Sequence, residues 1–414
     1  MSLAYNIAIY FYYFGVWVAS FFSKKVATMW KGEKEAFAYL KENIDSTAKY
    51  LWFHAASLGE FEQGRPMMER IRKEHPEYKI LLTFFSPSGY EVRKDYKGAD
   101  LICYLPLDTP YNARHFVKIT KPVMAFFIKY EFWNNYLHVL KHKGIPSYSI
   151  SSIFRDGQIF FRWYGKDYSK VLKCFTHLYV QNEKSRKLLS SIGIDNTTIV
   201  GDTRFDRVLQ IRDDAKHLPL VETFIGKHEK TVFIAGSSWP GDEAIFIPYF
   251  NKRADSKMII APHVVTEEHL AQIIAACEGK IVRYTQAEGM TAEELADADV
   301  LIIDCYGLLS SIYHYADITL VGGGFDHTGV HNVLEAAVWD KPVVYGPNYE
   351  EYREAIGLMK TGGGLIADNE EAFGAILDKL IADKTYLDDI ASKAGAYVKS
   401  QQGATEKILN LISL

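Results

Sequence analysis

Strand-like apolar runs alternate with helical patterns along nearly all of the chain beyond residue 50. Helices are predicted between the strands, for example over Glu183–Ile192 and Glu267–Cys277. Alternation of this kind predicts an α/β protein with two parallel sheets, each flanked by helices. The predicted strands are Tyr50–Ala56, Tyr78–Phe84, Leu101–Leu105, Pro122–Ile128, Ser147–Ile150, His177–Gln181, Thr231–Ala235, Lys257–Ala261, Val300–Asp304, Ile318–Val321 and Pro342–Tyr345.

The length of 414 residues is enough for two domains with separate cores. The charged stretch Arg212–Glu229 lacks a strand pattern and is the predicted linker. Two doubly wound domains of similar size predict a cleft in which a ligand meets the carboxyl ends of both sheets. The predicted division is an amino-terminal helix over 1–30, a first domain over 31–212, a second over 213–395, and a final helix over 396–414 that can cross back to the first domain.

The amino terminus is strongly apolar. Leu3 to Phe22 contains no charged residue, and Lys24, Lys25 and Lys31 follow it. As a helix this stretch would just cross a hydrocarbon layer of about 30 Å, and its aromatic side chains suit a membrane interface. We expect a membrane-associated helix, spanning or lying flat, with the rest of the chain in the cytoplasm. A buried core helix is the alternative.

Overall charge argues against a nucleic-acid partner. Charged residues make up 24% of the chain, and the formal net charge is only −4. The four cysteines lack CxxC spacing, which is typical of reduced thiols in the cytoplasm rather than of a disulfide framework.

Glu60 is the first candidate for chemistry. The segment Leu51–Pro66 reads as a strand, a small-residue turn and the start of a helix, with Glu60 just past the turn. Ligands collect at the carboxyl ends of strands in open α/β sheets, and a carboxylate there can take a proton from a substrate hydroxyl. The alternative is that Glu60 only complements the helix dipole.

A second group of motifs follows strands in the second half of the chain. The glycines Gly322–Gly324 would let backbone amides approach a phosphate. Glu335, in the first turn of a helix that Asn332 can cap, could accept both hydroxyls of a ribose or could serve only in capping. Ser237 and Ser238 lie in another strand-to-helix turn suited to a phosphate. The ends of two further strands, at Ala261–His263 and Asp304–Leu309, would line the same rim.

A metal site is not predicted. His327 and His331 are four residues apart, but neither a nearby cysteine nor an HExxH pattern supports zinc. The chain also lacks a DxD element of the kind that holds a divalent ion against a diphosphate.

Four segments carry a family resemblance: His54–Glu60, Phe127–Trp133, Gly201–Asp206 and Gly322–Glu335. They are similar to the H-x-x-S-x-G-E, E-T-E-L-W, G-x-x-K-F-D and G-G-S…G-H-N-P-L-E segments of the Kdo transferases. These enzymes add 3-deoxy-D-manno-octulosonic acid (Kdo) from CMP-Kdo to lipid A precursors. The resemblance covers nearly the whole chain and implies a GT-B fold with inversion at the Kdo anomeric carbon.

The resemblance also implies catalytic roles. Glu60 matches the family's proton acceptor, and Glu131 keeps the second acid of E-T-E-L-W. Lys129 stands where many members carry the first acid, and Arg204 replaces a lysine. We expect Arg204, with Lys129 second, to stabilise the leaving CMP or to offset the sugar carboxylate.

The expected nucleotide site lies in the second domain. Pro262 and His263 occupy the family's P-R positions, and Tyr306–Leu308 its M-G-E positions with the acid lost at Leu308. Asn332–Glu335 matches N-P-L-E with valine for proline. The full expected set is Ser237, Ser238, Pro262, His263, Tyr306, Gly307, Leu308, Gly323, Gly324, Asn332, Val333, Leu334 and Glu335.

The resemblance further implies CMP-Kdo as donor, a lipid A precursor as acceptor, and the cytoplasmic side of the inner membrane as location. No cofactor or metal is expected, because CMP is a monophosphate whose charge protein cations and helix-end amides can stabilise. Three alternatives remain open: another GT-B transferase or epimerase that uses a UDP-sugar, a membrane-tethered nucleotide-binding protein without turnover, and a nicotinamide dehydrogenase.

Overall fold

Two seven-stranded, all-parallel sheets organise the protein, one in each of two units. The computed structural model describes residues 3–414. The first unit comprises the chain up to Arg207 together with Gln402–Leu414, and the second comprises Val208–Gln401. The predicted division lay at 212/213, whereas this boundary falls inside a helix that begins at Thr203.

The first sheet has the strand order β3-β2-β1-β4-β5-β6-β7. Its strands are buried on both faces, as expected for a parallel sheet covered by helices on both sides. The strands are β1 (Lys49–Ala55), β2 (Tyr78–Phe84), β3 (Leu101–Tyr104), β4 (Met124–Ile128), β5 (Ser147–Ser152), β6 (His177–Val180) and β7 (Thr197–Ile199).

The second sheet has the order β10-β11-β9-β8-β12-β13-β14. Its strands are β8 (Thr231–Ser238), β9 (Ser256–Pro262), β10 (Ile281–Arg283), β11 (Val300–Ile302), β12 (Ile318–Val321), β13 (Val343–Tyr345) and β14 (Gly364–Ile366). Both sheets are doubly wound, and the winding reverses between β1 and β4 in the first and between β8 and β12 in the second. A ligand in such a sheet binds outside the carboxyl ends of the strands at this switch point.

Helices cover both sheets. Those of the first unit are α1 (Leu3–Ala19), α2 (Lys24–Asn43), α3 (Leu58–Glu74), α4 (Pro87–Arg93), α5 (Pro110–Thr120), α6 (Asn134–His142), α7 (Glu183–Ser190) and the start of α8 (Thr203–Asp213). Those of the second are α9 (Pro219–Ile225), α10 (Pro240–Asn251), α11 (Glu267–Ala276), α12 (Ala292–Ala296), α13 (Leu309–Ile312), α14 (Leu334–Ala337), α15 (Arg353–Lys360), α16 (Glu370–Ala382) and α17 (Lys384–Ser400). Short 3₁₀ segments are Ile159–Phe161, Trp163–Gly165, Tyr168–Cys174, Tyr284–Gly289 and Tyr313–Tyr315.

The last helix, α18 (Ala404–Leu411), belongs to the first unit. Asp206 fixes its amino terminus, since the carboxylate accepts hydrogen bonds from the amides of Gly403 at 2.6 Å and Thr405 at 2.7 Å. Ile408 is fully buried in the same core cluster as Met67 of α3. The carboxyl-terminal helix therefore completes one face of the first sheet.

The predicted linker Arg212–Glu229 is wrong in part, because it contains α9. Leu218, Val221 and Phe224 recur at helical spacing and are buried. A three-residue spacing of apolar side chains indicates an amphipathic helix even within a charged stretch.

The amino-terminal helix α1 ends at Ala19, three residues before the end of the uncharged stretch. Its large side chains are mostly exposed, including Phe11 at 73% and Phe14 at 58%, while Ile9 and Val16 are buried. The alternative of a buried core helix is therefore wrong. Across residues 3–414, every helix is too short or too polar to span a membrane.

Candidate functional site

Glu60 lies at the switch point of the first sheet. It occupies the first turn of α3, directly after β1, and its side chain is partly exposed. The hydroxyl of Ser57, the residue before α3, donates a hydrogen bond to the Glu60 carboxylate. The carboxylate is thus held at the carboxyl edge of the sheet and still reaches solvent, as a general base requires.

Lys129 lies on the other side of this switch point, at the end of β4. It has a left-handed backbone with φ of 64°, which a residue with a Cβ adopts only at a cost in energy. Two contacts hold it: its amide donates to Ile150 at 2.8 Å, and its carbonyl accepts from the Ser152 hydroxyl at 3.1 Å. Strained residues of this kind cluster at functional sites.

Glu131 is bound within a network of side chains. Its Oε2 accepts from His54 Nε2 at 3.0 Å and from Trp133 Nε1 at 2.7 Å. His54 is fully buried, and its Nδ1 meets the Thr83 hydroxyl at 2.9 Å. Trp52 in turn donates to that hydroxyl at 2.8 Å. Glu131 therefore anchors the loop after β4 through one carboxylate oxygen, a role that the sequence alone did not reveal.

Arg204 forms a close ion pair with Asp202. Its Nη2 and Nε lie 2.7 Å and 2.9 Å from Asp202 Oδ2, and its amide donates to Oδ1 at 3.0 Å. Burial would raise the pKa of Asp202, but Arg204 and the charge of Lys129 outweigh it and hold that pKa below its usual value. The guanidinium is 29% exposed and is therefore oriented but still accessible.

A charged cluster surrounds Tyr130 in the first unit. Burial raises the pKa of the Tyr130 hydroxyl; Arg155 and Arg204 lower it in part, and Asp202 and Glu60 raise it. The Lys129 ammonium lies 5.3 Å from the centre of the Tyr130 ring. Glu60, Lys129 and Arg204 thus lie around Tyr130, whereas Glu131 is bound to His54 and Trp133. Arg155, which carried no motif signal, belongs to the charged cluster as well.

At the switch point of the second sheet, Ser237 and Ser238 end β8. Ser237 has a left-handed backbone with φ of 54°. Ser238 is fully buried and donates to Glu243 at 2.8 Å, and Glu243 contacts His269 at 2.9 Å. The predicted phosphate contact by the Ser238 hydroxyl is wrong, because that hydroxyl is buried and already donates its hydrogen bond to Glu243.

The glycine turn after β12 is also built differently from the prediction. Its amides were expected to meet a phosphate, but Gly322 donates to Gly236 at 2.9 Å and Gly323 to the buried Asp242 at 2.7 Å. A Cβ on Gly324 would lie 2.5 Å from the amide nitrogen of Gly346. Glycine is therefore needed here for close backbone packing, and the amides of Gly322 and Gly323 are not available to a phosphate.

Asp242 accepts two further amides, from Trp239 at 2.9 Å and from Phe325 at 3.2 Å. We expect Asp242→Ala to lower the free energy of unfolding by about 3 kcal/mol, because three amides lose a buried acceptor. Chemical denaturation measures this effect. Asp388→Ala, which removes an exposed carboxylate paired with Lys384, should cost less than about 0.5 kcal/mol. Equal costs for both variants would contradict the assigned role.

Three rings stack beside this turn, and sequence reasoning found only part of the group. His263 lies 4.2 Å from His331 and 5.0 Å from Trp239 between ring centres. Trp239 Nε1 donates to His331 Nε2 at 2.8 Å. Burial, with the nearby His263, lowers the pKa of His331 to about 4, so that His331 is neutral at pH 7. The rings offer a flat surface at the carboxyl ends of β8 and β9.

The other predicted nucleotide contacts divide into exposed and buried residues. Tyr306 is 72% exposed, with its hydroxyl accepting from the Val265 amide at 3.0 Å. Gly307 is exposed and Leu308 partly so, whereas Pro262 is buried at the end of β9. Val333 and Leu334 are completely buried. Their side chains belong to the core, so a contact from Val333 or Leu334 to a nucleotide could involve only the backbone and stays a prediction.

Asn332 and Glu335 form a polar pair at the start of α14. Asn332 donates to Glu335 Oε1 at 3.0 Å and accepts from the Leu334 amide at 3.3 Å. The N-cap of α14 is Val333 rather than Asn332, so Asn332 contacts the first turn of the helix from one residue before the cap. Glu335 is partly exposed, so the contact with a ribose stays a prediction. In the chain from residue 3 onward, no three histidine, cysteine or acidic side chains are grouped as metal ligands.

Comparison with known proteins shows which enzymes the chain resembles. Residues 31–207 match the family described as 3-deoxy-D-manno-octulosonic-acid transferase (kdotransferase). The 3-deoxy-D-manno-octulosonic acid transferase of Aquifex aeolicus is 26% identical over 352 residues, 83% of this chain and 89% of that protein. The enzyme of the same name from Haemophilus influenzae is 23% identical over 378 residues, 87% of this chain and 86% of that one. The chain is thus similar to Kdo transferases over more than four fifths of its length.

Solved structures show the fold of this chain. UDP-GlcNAc 2-epimerase from Neisseria meningitidis, bound to UDP-GlcNAc, aligns with a TM-score of 0.61 at 16% identity, covering 87% of this chain and 98% of its own. MurG from Acinetobacter baumannii aligns with a TM-score of 0.55 at 12% identity, covering 88% and 99%. The predicted GT-B architecture of two Rossmann-like domains is confirmed.

Proposed function

We propose that this protein transfers Kdo from CMP-Kdo to a hydroxyl of a lipid A precursor. The observation that carries the proposal is the likeness to Kdo transferases over more than four fifths of both chains. The placement of Glu60 beside a cluster of cations, at the switch point of the first sheet, supports it independently.

In the proposed reaction, the acceptor oxygen attacks the anomeric carbon of Kdo in one displacement. The new bond joins this carbon to the acceptor oxygen, and the bond to the CMP phosphate breaks. Glu60 takes the proton of the attacking hydroxyl, and CMP leaves with the bonding electrons. A single displacement inverts the anomeric centre.

Charge on the departing CMP needs stabilisation, and we assign this to side chains rather than to a metal. Arg204 is fixed by Asp202 and remains accessible, so it is oriented before the reaction begins. Lys129 and Arg155 are further cations of the same cluster, suited to the Kdo carboxylate. A monophosphate carries less charge than a diphosphate, which makes these cations sufficient without Mg²⁺.

The second unit is the proposed nucleotide site. Glu335 and Asn332 would hold the ribose, and His263 and Tyr306 offer exposed rings for the cytosine. In this proposal, Glu60 acts on the acceptor hydroxyl that attacks the sugar of the bound nucleotide.

Membrane attachment is the third part of the proposal. The exposed aromatic and aliphatic side chains of α1, followed by Lys24, Lys25 and Lys31, suit a helix lying at the surface of an anionic membrane. Such a position, on the cytoplasmic side of the inner membrane, would bring the site close to a lipid acceptor.

The nucleotide assignment is tested by thermal denaturation. We expect CMP to raise the melting temperature of the wild-type protein and UDP to raise it less, because the site is proposed to fit cytosine. Glu335→Gln should weaken CMP binding about tenfold, since a carboxylate bound to a ribose is worth roughly 1.4 kcal/mol more than an amide. Glu370→Gln, at an exposed position in the same unit, is the control. A larger response to UDP would support the UDP-sugar alternative and contradict CMP-Kdo.

A further inference from the structure

A cavity between the amino-terminal helices and the first sheet lies outside the proposed catalytic site. It has a volume of about 210 Å³. We call it the α1–α2 cavity. Residues of α1, α2, α5 and the loop after β3 line it: Tyr13, Trp30, Glu33, Lys34, Phe37, Pro106, Leu107, Tyr111 and Asn112.

Glu33 is the unusual member of this lining. Its side chain is only 6% exposed, and its Oε1 has no hydrogen-bond partner among residues 3–414. Burial raises the pKa of Glu33 to about 8, an effect that the Leu107 amide reduces only in part. Burying a carboxyl oxygen without a donor costs free energy, so a ligand that donates a hydrogen bond to Glu33 would be favoured in this cavity.

Aromatic rings form the wall beside this carboxyl group. The rings of Tyr13 and Trp30 are 4.7 Å apart at an angle of 55°. The exposed Lys34 extends over Trp30, with its ammonium 4.5 Å from the ring centre. A buried carboxyl group among aromatic faces, with one lysine at the entrance, suits a ligand whose cation enters first and whose anion stays outside.

We propose that the α1–α2 cavity binds a primary ammonium group linked to a phosphate, as in an ethanolamine phosphate head group. The ammonium donates to Glu33 and contacts the faces of Trp30 and Tyr13, and the phosphate pairs with Lys34. A purely apolar guest would leave Glu33 unsatisfied. A choline head group would contact the rings but has no N–H group to donate.

Binding to phospholipid vesicles tests this proposal with the full-length protein. One set contains choline and anionic phospholipids; in the other, ethanolamine phospholipid replaces the choline lipid. We expect about tenfold tighter binding to the ethanolamine vesicles, from one charge-assisted hydrogen bond. Glu33→Gln should reduce this preference to less than about twofold. Glu35→Gln should keep it, because Glu35 lies on the same helix, 64% exposed, and contacts Lys31.

Two further arms complete the test. Trp30→Leu removes an aromatic wall and should also abolish the preference, so it carries the test if Glu33→Gln does not fold. Soluble O-phosphoethanolamine tests whether the free compound binds as well as the lipid. If it raises the melting temperature of wild type and Glu35→Gln but not that of Glu33→Gln, the cavity binds both the free compound and the lipid head group. An equal response of all variants to both vesicle sets, without stabilisation by the soluble compound, would overturn the proposal.

Discussion

Replacing Glu60 with glutamine should lower the rate of Kdo transfer by a factor of about 10² to 10⁴, the usual contribution of a general base. The amide keeps the shape of the side chain and its contact with Ser57 but cannot take the proton of the attacking hydroxyl. CMP affinity should be unchanged, because the proposed nucleotide site lies in the other unit. The measurement is the turnover number at saturating donor and acceptor.

Glu74→Gln is the matched control for this variant. Glu74 ends the same helix, is 44% exposed and pairs with Arg70, so its replacement removes the same charge far along α3 from Glu60. Its turnover should stay close to that of the wild type. Near-normal turnover in Glu60→Gln, with donor and acceptor affinities intact, would remove Glu60 from the mechanism.

Replacing Arg204 with glutamine should lower turnover about 10²- to 10³-fold, because the cation proposed to stabilise the leaving CMP is lost. It should also lower the free energy of unfolding by about 1–3 kcal/mol, since Asp202 is left buried without its partner. The loss of stability is smaller than for a fully buried pair because Arg204 is partly exposed.

The double variant Asp202→Asn with Arg204→Gln should regain stability but not turnover. Recovery of turnover in the double variant would contradict a direct role for the guanidinium.

The stability effect of Arg204 should depend on pH. The pKa of Asp202 is held below its usual value in the folded protein. The ion pair therefore stabilises the protein above the pKa of an unfolded aspartate, and this stabilisation is lost as the pH falls through the lower folded value. The difference in unfolding free energy between wild type and Arg204→Gln should be largest near pH 7 and should shrink below about pH 4. A constant difference down to acid pH would contradict the pairing.

Long apolar strands were predictable from sequence, whereas short edge strands were not. The predicted strands of both sheets are confirmed, but β7, β10 and β14 were missed. Each has three residues, too few for a pattern, and each lies at the edge of its sheet. Their conformation depends on pairing with a neighbour, which is a tertiary contact that local sequence does not encode.

Site prediction succeeded in placing residues at strand ends and failed on their hydrogen-bond partners. Glu60 lies where the motif predicted, because the turn after a parallel strand fixes the edge of the sheet. Asp242, which accepts the hydrogen bond of the Gly323 amide, lies 81 positions away in the chain, and His54, which binds Glu131, lies 77 positions away. Such contacts appear only when strands far apart in sequence meet at a switch point.

The central claim is that this chain moves Kdo from CMP-Kdo to a lipid A precursor with Glu60 as the base. The most direct measurement incubates the wild-type protein and Glu60→Gln with CMP-Kdo and a tetraacylated precursor, and reads the lipid products by mass spectrometry. The account predicts a lipid heavier by whole Kdo units with the wild type, released CMP in equal amount, and almost no product with the variant. An unchanged lipid mass with folded wild-type protein, or equal product from both proteins, would contradict it.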